Sequence, residues 1–233
     1  MLLVLASRWD EQAAELDRCC DGVRLLTPDD LSVEGWVFRP SFPESGVMIA
    51  DGECIPTKDI TGVFTRLPCV MPHELLRMVP EERDYAAAEM HAFLVAWLST
   101  LRCPVVNRPT PGHLAGPAWG RERWISEAAK QGIPVVEFDR DCASDVHLCA
   151  ADSVITVVGE EIIGTNDPSL GAYATQLAHI ADVTTLTVYF EKRNVQFASC
   201  CIDLGNEAVK HALFGHFGMR CSEHDDTVVG IAR

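Results

Sequence analysis

Three arginines and one asparagine stand where short apolar segments of this chain end or where a helical segment begins. Arg66 follows one such apolar run, and Asn107 and Arg108 follow a second. Arg121 opens a segment with helical spacing, next to the free amide groups that a helix start offers to an anion. A guanidinium can bind a carboxylate or a phosphate through two parallel hydrogen bonds. These four residues therefore predict a binding site for an anionic ligand.

A parallel sheet would bring these residues together. The two apolar runs, residues 62–65 and 104–106, are predicted to be buried strands, and a proline shortly after each one turns the chain away from the sheet. Open α/β sheets place their binding crevice at the carboxyl ends of the strands. The alternative, which the sequence leaves open, is that internal acids such as Asp59, Asp84 or Glu89 neutralise the arginines and leave no room for a ligand.

The first half of the chain alternates between strand and helix patterns. A β-α-β unit is predicted over residues 1–26, and residues 81–101 have the clearest helical spacing. This helix carries an apolar stripe at every fourth position from Tyr85 to Leu101. Glu89 lies on the same stripe, where it would be either a buried functional acid or an edge residue paired with an arginine.

The second half of the chain has a different pattern. Two hairpins are predicted, at residues 154–163 and 186–202, each followed or preceded by a helix. The acidic stretch at residues 138–152 has no periodicity and predicts a domain junction, and a last short strand is expected at residues 227–232. Strands and helices that follow one another in this way predict an α+β unit.

The composition argues against several classes of protein. The formal net charge of −15 argues against nucleic-acid binding, which needs basic surfaces. No apolar run is long enough to span a membrane, and the first ten residues lack the basic leader of a signal peptide. We therefore expect a cytoplasmic protein with no membrane partner. The ten cysteines show no spacing typical of structural zinc and are expected to be reduced.

Short motifs in the first half follow a distinctive order: Asp59-Ile60, Arg66-Leu67-Pro68, Asn107-Arg108-Pro109, and Arg121 with Ala128, Gly132 and Pro134. This order resembles the pre-ATP-grasp region of ATP-grasp ligases of the RimK/glutathione-synthetase type, closest to those that modify ribosomal peptides. In that family the position of Arg121 holds a phosphate-contacting lysine. The resemblance implies a three-layer, Rossmann-like α/β pre-ATP-grasp domain over residues 1–136. It also implies a smaller α+β remnant of the ATP-grasp C-terminal subdomain over residues 153–233.

The resemblance also implies parts that this sequence lacks. The ligases clamp ATP beneath a small lid domain with phosphate-binding lysines, whereas only about twenty residues separate Pro134 from Val154, too few for a domain. None of them is a lysine. The family's Mg²⁺ ligands lie on the last two strands, where this chain offers only Glu191, Asp203 and Asn206. We therefore expect no metal site and no cofactor.

These features predict a truncated, degenerate ATP-grasp-like pseudoenzyme. It would bind a peptide, a small carboxylate or a partner enzyme subunit in a peptide- or natural-product-modification pathway, as a monomer or a homo-oligomer. The alternative is a small active carboxylate–amine ligase that uses ATP and Mg²⁺. An Arg66→Ala substitution separates two roles of that arginine. Lost binding with intact thermal stability indicates a ligand site, and a lower melting temperature with unchanged binding indicates a structural brace.

Overall fold

The computed structural model describes residues 1–137 and 150–219. Most of the predicted junction at residues 138–152, and all of the strand predicted at residues 227–232, lie outside these described residues. None of the helices in the two described ranges combines the length and the apolar character that a membrane crossing requires.

The described strands and helices follow the predicted order, with single 3₁₀ turns in several of the loops. In chain order they are β1 (Leu2–Leu5), α1 (Glu11–Cys19), β2 (Val23–Leu26), β3 (Val47–Ala50), β4 (Glu53–Pro56), β5 (Gly62–Thr65), α2 (Arg83–Thr100), β6 (Val105–Val106), α3 (Arg121–Lys130), β7 (Ser153–Val158), β8 (Glu161–Ile163), α4 (Pro168–Ile180), β9 (Thr185–Glu191), β10 (Asn194–Ser199) and α5 (Glu207–His216). The strands β3 and β4 form a separate hairpin.

The first sheet is parallel, with its strands in the order β2-β1-β5-β6. The central strand β1 pairs in register with β2 on one side and with β5 on the other. Both β1 and β5 are buried along their whole length, which is why they appear in the sequence as continuous apolar runs. The predicted α/β class and the β-α-β start are confirmed.

Two apolar layers cover the two faces of this sheet. Leu3 and Leu5 point into a core that includes Leu94 of α2. Leu2 and Val4 point to the opposite face, into a second core that α1 and α5 complete. Side chains alternate between the faces of a strand, so one apolar run supplies both cores. The first half therefore has the three layers that were predicted.

The long helix α2 has the predicted extent but a different buried face. Tyr85 is 73% exposed and Glu89 is exposed as well, whereas Trp97 is buried. Steps of four residues advance by about 40° beyond a full turn, so a stripe from Tyr85 to Leu101 winds by about 160° around the helix. The prediction of one buried stripe is therefore wrong. Glu89 is not a buried acid, and it pairs with no arginine among the described residues.

The second sheet is antiparallel, with its strands in the order β10-β9-β7-β8, and it contains the two predicted hairpins. One face packs against α3 and α4, where Trp124 and Leu177 meet Val188 and Phe190 in a third core. The opposite face is covered by α5 at one end, around Val158. The rest of that face stays open and forms one wall of the cleft described below.

The division into domains at residues 1–136 and 153–233 stays a prediction. Core contacts cross between the two segments in both directions. The helix α3 belongs to the first segment, yet Trp124 and Ala128 pack into the core of the second sheet. The helix α5 belongs to the second segment, and Leu213 packs beneath the first sheet. Each half thus supplies a helix to the core of the other.

Candidate functional site

A cleft of about 550 Å³ lies between the carboxyl ends of the parallel sheet and the open face of the antiparallel sheet. Its walls come from the start of α1, the loop after β5, the strands β7 and β9, and the chain between β10 and α5. The polar side chains that line it are Gln12, Arg66, Thr156, Thr187, Tyr189, Cys201, Asp203 and Asn206. Both halves of the chain therefore contribute to a single candidate site.

Arg66 reaches this cleft because it directly follows β5, which lies beside β1 in the sheet. The chain turns towards β2 on one side of β1 and towards β5 on the other, so the ends of β1 and β5 mark the topological switch point. Ligands of open α/β sheets bind at such points. The prediction that Arg66 lies at a sheet crevice thus agrees with its position in the fold.

The guanidinium of Arg66 already makes four hydrogen bonds within the protein. Its Nε donates to Oδ2 of Asp10 at 2.6 Å, and its Nη2 donates to Oδ1 of Asp10 at 3.3 Å and to Oε1 of Gln12 at 3.1 Å. Its Nη1 donates to the carbonyl oxygen of Ile202 at 2.8 Å. Only 7% of the side chain is exposed. The positive charge is therefore neutralised from within, which was the alternative that the sequence left open.

The neutralising acid is Asp10 and not Asp59, Asp84 or Glu89. Asp10 is the N-cap of α1, where its Oδ1 also accepts a hydrogen bond from the backbone amide of Ala13 at 3.0 Å. One carboxylate thus fixes the start of a helix and holds the arginine at the end of β5. An acid directly before a helical run is a recognisable cap in the sequence, but its long-range partner is not.

Asn107 is 1% exposed, and its side chain joins the two sheets. Its Oδ1 accepts hydrogen bonds from the backbone amides of Thr184 and Thr185, each at 2.9 Å. Its Nδ2 donates to the carbonyl oxygen of Thr185 at 3.0 Å. The amide is therefore occupied by Thr184 and by Thr185, the first residue of β9, and does not line the cleft.

The other two predicted arginines lie elsewhere. Arg108 is exposed, and Arg121 is half-buried at the start of α3, where its Nε donates to the carbonyl oxygen of Gln196 at 3.1 Å. Neither residue lines the cleft. Of the four predicted ligand-binding residues, the fold brings only Arg66 into this cleft, and ligand binding by any of them stays a prediction.

The floor of the cleft is a row of hydroxyl groups on the open face of the second sheet. The hydroxyl oxygens of Thr156 and Thr187 lie 3.1 Å apart, on neighbouring strands. Tyr189 follows on the same strand as Thr187, and its ring stacks on Phe197 with 5.8 Å between the ring centroids. Burial raises the pKa of Tyr189, and the nearby Cys201 and Asp203 raise it further. The phenol therefore stays protonated and available as a hydrogen-bond donor.

These residues were not predicted from the sequence, although a signal for them was present. Polar residues alternate with apolar ones along β9, as in Thr185-Leu-Thr187-Val-Tyr189. A period of two places every second residue on the same face of a strand. This pattern indicates a sheet with one apolar face and one hydroxyl-lined face, and the fold has both.

Two of the three residues considered as magnesium ligands line the cleft, but Oδ1 of each already accepts hydrogen bonds from the protein. Oδ1 of Asp203 accepts from Nε2 of Gln12 at 2.6 Å and from the backbone amide of Gly205 at 2.9 Å. Oδ1 of Asn206 caps α5. Glu191 lies at the end of β9 and outside the cleft lining. Within the described ranges, no group of three acidic, histidine or cysteine side chains is arranged to hold a metal. These residues do not fit Mg²⁺, which requires several oxygen ligands in octahedral order.

The two adjacent cysteines after β10 differ in their environment. Cys200 is buried, and its burial raises the pKa of the thiol to about 12, so it remains a neutral thiol at physiological pH. Cys201 is exposed and lines the cleft. No disulfide bond joins any of the cysteines that the structure describes.

No known protein family and no curated protein matches the sequence. Solved structures do match. The ATP-grasp ligase PsnB, complexed with a phosphomimetic variant of its minimal precursor, Mg and ADP, aligns with a TM-score of 0.62 at 12% identity over 93% of this chain and 97% of that chain. Macrocyclase MdnC from Microcystis aeruginosa MRC, bound with precursor peptide MdnA, aligns with a TM-score of 0.60 at 9% identity over 87% of this chain and 92% of that chain.

A third match is a RiPP-associated ATP-grasp ligase from Chryseobacterium gregarium, in complex with ADP and a leader and core peptide. It aligns with a TM-score of 0.56 at 10% identity over 94% of both chains. At these identities the likeness shows the fold: this chain has the fold of peptide-modifying ATP-grasp ligases. The resemblance noted in the sequence motifs is confirmed at that level, whereas the RimK type, the truncation and the loss of activity stay predictions.

Proposed function

We propose that this chain is a non-catalytic ATP-grasp-fold protein that binds a peptide segment in the cleft between its two sheets, within a peptide-modification pathway. The segment belongs either to a free peptide or to a partner enzyme. The structural neighbours support the peptide, because PsnB, MdnC and the Chryseobacterium gregarium ligase are each solved with a precursor or leader peptide. The chemistry of the cleft supports the absence of catalysis.

The state of Arg66 is the observation that carries the non-catalytic part of the proposal. A triphosphate needs cations or a metal ion to offset its charge during phosphoryl transfer. Arg66 is the one cationic side chain among the described residues that line the cleft, and Asp10 already neutralises it. The chain has four lysines, Lys58, Lys130, Lys192 and Lys210, and none of them lines the cleft.

The length of the connection between the two halves supports the same conclusion. Residues 138–149 are all that lies between the described parts of the chain. A segment of that length is too short to form the independent lid domain that the family resemblance implies, since domains have at least about 50 residues. The active-ligase alternative would need phosphate-binding groups from another source.

The lining of the cleft favours a peptide over a small carboxylate. A carboxylate ligand would need a guanidinium or ammonium group whose charge no acid of the protein already neutralises, and Arg66 is paired with Asp10. The row formed by Thr156, Thr187 and Tyr189 instead offers neutral groups that both donate and accept hydrogen bonds. The backbone and the polar side chains of a peptide match such groups, and a volume of about 550 Å³ accommodates a few residues.

Two measurements test the two parts of the proposal. Isothermal titration calorimetry with ATP and Mg²⁺ is expected to show no binding, and micromolar affinity would overturn the non-catalytic part.

For the cleft, peptides are selected from a random displayed library for binding to the wild-type protein, and their affinities for two variants are then measured. Val154→Trp fills the cleft, whereas Ile162→Trp changes a residue of nearly equal exposure, 43% against 45%, outside the cleft.

The selected peptides are expected to lose at least tenfold in affinity for the Val154→Trp variant and to keep wild-type affinity for the Ile162→Trp variant. Equal affinity for all three proteins would show that the cleft is not the binding site. A library that yields no peptide preferring the wild type to the Val154→Trp variant would overturn the proposal as well.

A further inference from the structure

A second groove, separate from the cleft, lies along the first turns of α2. It has a volume of about 610 Å³ and shares no lining residue with the cleft. Its apolar lining includes Met78, Tyr85 and Met90, and its acidic lining consists of Glu81, Glu82 and Glu89. Apolar and acidic groups thus stand side by side on an open surface of the protein.

The apolar lining of this groove is partly exposed, and further exposed apolar residues lie beside it. Tyr85 is 73% exposed, and Leu76 and Val79 in the preceding loop are exposed as well. A concentration of large exposed apolar residues in one segment is typical of an interaction surface. The thioether side chains of Met78 and Met90 are flexible and polarisable, which suits them to contact an apolar partner of irregular shape.

The acidic part of the groove has no counter-charge. Glu82 caps the start of α2 and Glu89 lies on the helix seven positions later, so both are within one turn of Tyr85 on the same side. Glu81, Glu82 and Glu89 form no ion pair with any residue in the described ranges. The neighbouring cation, Arg83, is not part of the lining and donates its Nε hydrogen to the carbonyl oxygen of Met78 at 3.0 Å. Three glutamates without an ion-pair partner in the described ranges therefore line the apolar groove.

We propose that this groove binds a basic amphipathic helix of a partner protein. Such a helix inserts its apolar residues between Tyr85 and the two methionines, and its lysines or arginines pair with the three glutamates. Grooves that accept amphipathic helices recognise apolar anchors at helical spacing, and complementary charge speeds the encounter and fixes orientation. The proposal concerns a protein partner and is independent of what the cleft binds.

The experiment uses a synthetic fluorescent peptide of about 14 leucine and lysine residues, arranged as an amphipathic helix of roughly four turns. A peptide with glutamate in place of lysine is the second probe. Fluorescence anisotropy measures both peptides against the wild-type protein, a Tyr85→Ala variant and a Glu82→Lys/Glu89→Lys variant. A Glu15→Lys/Glu34→Lys variant is the matched control, because each replacement adds two charges and both double variants change the net charge from −15 to −11.

The leucine–lysine peptide is expected to bind the wild-type protein and the control variant equally, within about twofold. Its affinity should fall at least tenfold for the Glu82→Lys/Glu89→Lys variant and at least fivefold for the Tyr85→Ala variant. An equal loss in the control variant would assign the binding to net charge alone and overturn the proposal. Equal binding of the glutamate peptide, no binding of the basic peptide, or a wild-type dimer that Tyr85→Ala dissociates in ultracentrifugation would also overturn it.

Discussion

Replacing Arg66 with alanine is expected to lower the melting temperature of this protein by about 5–10 °C. The substitution removes four hydrogen bonds to Asp10, Gln12 and the carbonyl oxygen of Ile202. It leaves the carboxylate of Asp10 without its counter-charge and separates the end of β5 from the chain between β10 and α5. Thermal unfolding followed by circular dichroism measures the effect.

The size of this effect follows from the burial of the pair. Breaking a buried ion pair by removing one partner costs about 3–5 kcal/mol, because the remaining charge is left without compensation. The Asp10 side chain is 20% exposed, so water compensates part of the loss. We therefore expect the free energy of unfolding to fall by about 2–3 kcal/mol. In a chain of 233 residues each kcal/mol shifts the melting temperature by about 2–4 °C.

Two further variants define what the arginine contributes. Arg66→Lys keeps the charge, but an ammonium group cannot reach acceptors on three residues in the same geometry. The melting temperature of this variant should therefore lie between those of the wild type and the Arg66→Ala variant. Arg108→Ala removes an exposed arginine and should leave the melting temperature within about 1 °C of the wild type. If Arg66→Ala keeps the wild-type melting temperature but abolishes peptide binding in the cleft, Arg66 is a ligand-binding residue and the bracing role is wrong.

The regular elements could be predicted because their signals are local. The β-α-β start, both hairpins and the five helices of the described residues appear in the sequence as apolar runs, turn residues and caps within a few positions of one another. The buried face of α2 was predicted incorrectly because a constant spacing of four does not follow the 3.6-residue turn over five turns. Local periodicity predicts where a helix lies more reliably than which of its residues face the core.

The candidate site was harder to predict, since its contacts join distant parts of the chain. Arg66 was correctly placed at a strand end, but its partner Asp10 lies 56 positions away and functions locally as a helix cap. The amide of Asn107 pairs with residues 77 and 78 positions away. Nothing in the sequence near either residue specifies which sheet or helix will meet it. The residue types and the prolines near them predicted that both side chains lie at strand ends. Tertiary packing determines whether such a side chain binds a ligand or another part of the protein.

Replacing Asn107 with alanine is expected to have the largest effect of any single change considered, a loss of about 3–5 kcal/mol and a fall in melting temperature of about 10 °C or more. The substitution leaves two backbone amides and one carbonyl oxygen of Thr184 and Thr185 without partners at a buried position. Each such buried group costs about 1–3 kcal/mol when no water replaces the lost bond. Denaturant unfolding of the variant measures the loss directly.

An Asn107→Asp substitution tests the same geometry through its pH dependence. An ionised aspartate can accept from both amides, but it cannot donate to the carbonyl oxygen of Thr185, and burial of its charge is unfavourable. Burial raises the pKa of such a carboxyl group in the folded protein above its unfolded value. The folded state then binds the proton more tightly than the unfolded state does, and the protonated side chain regains a hydrogen-bond donor. The loss of stability relative to the wild type should therefore be smaller at pH 5 than at pH 8.

The comparison with the wild type at each pH isolates this effect from the titration of other groups. The difference in unfolding free energy between wild type and the Asn107→Asp variant should shrink as the pH falls, whereas the deficit of the Asn107→Ala variant should stay constant, because alanine does not titrate. A constant deficit for both variants would show that the side chain of residue 107 is not enclosed by β9. A stable Asn107→Ala variant with an altered cleft affinity would instead return Asn107 to the ligand-binding role that its place at a strand end suggested.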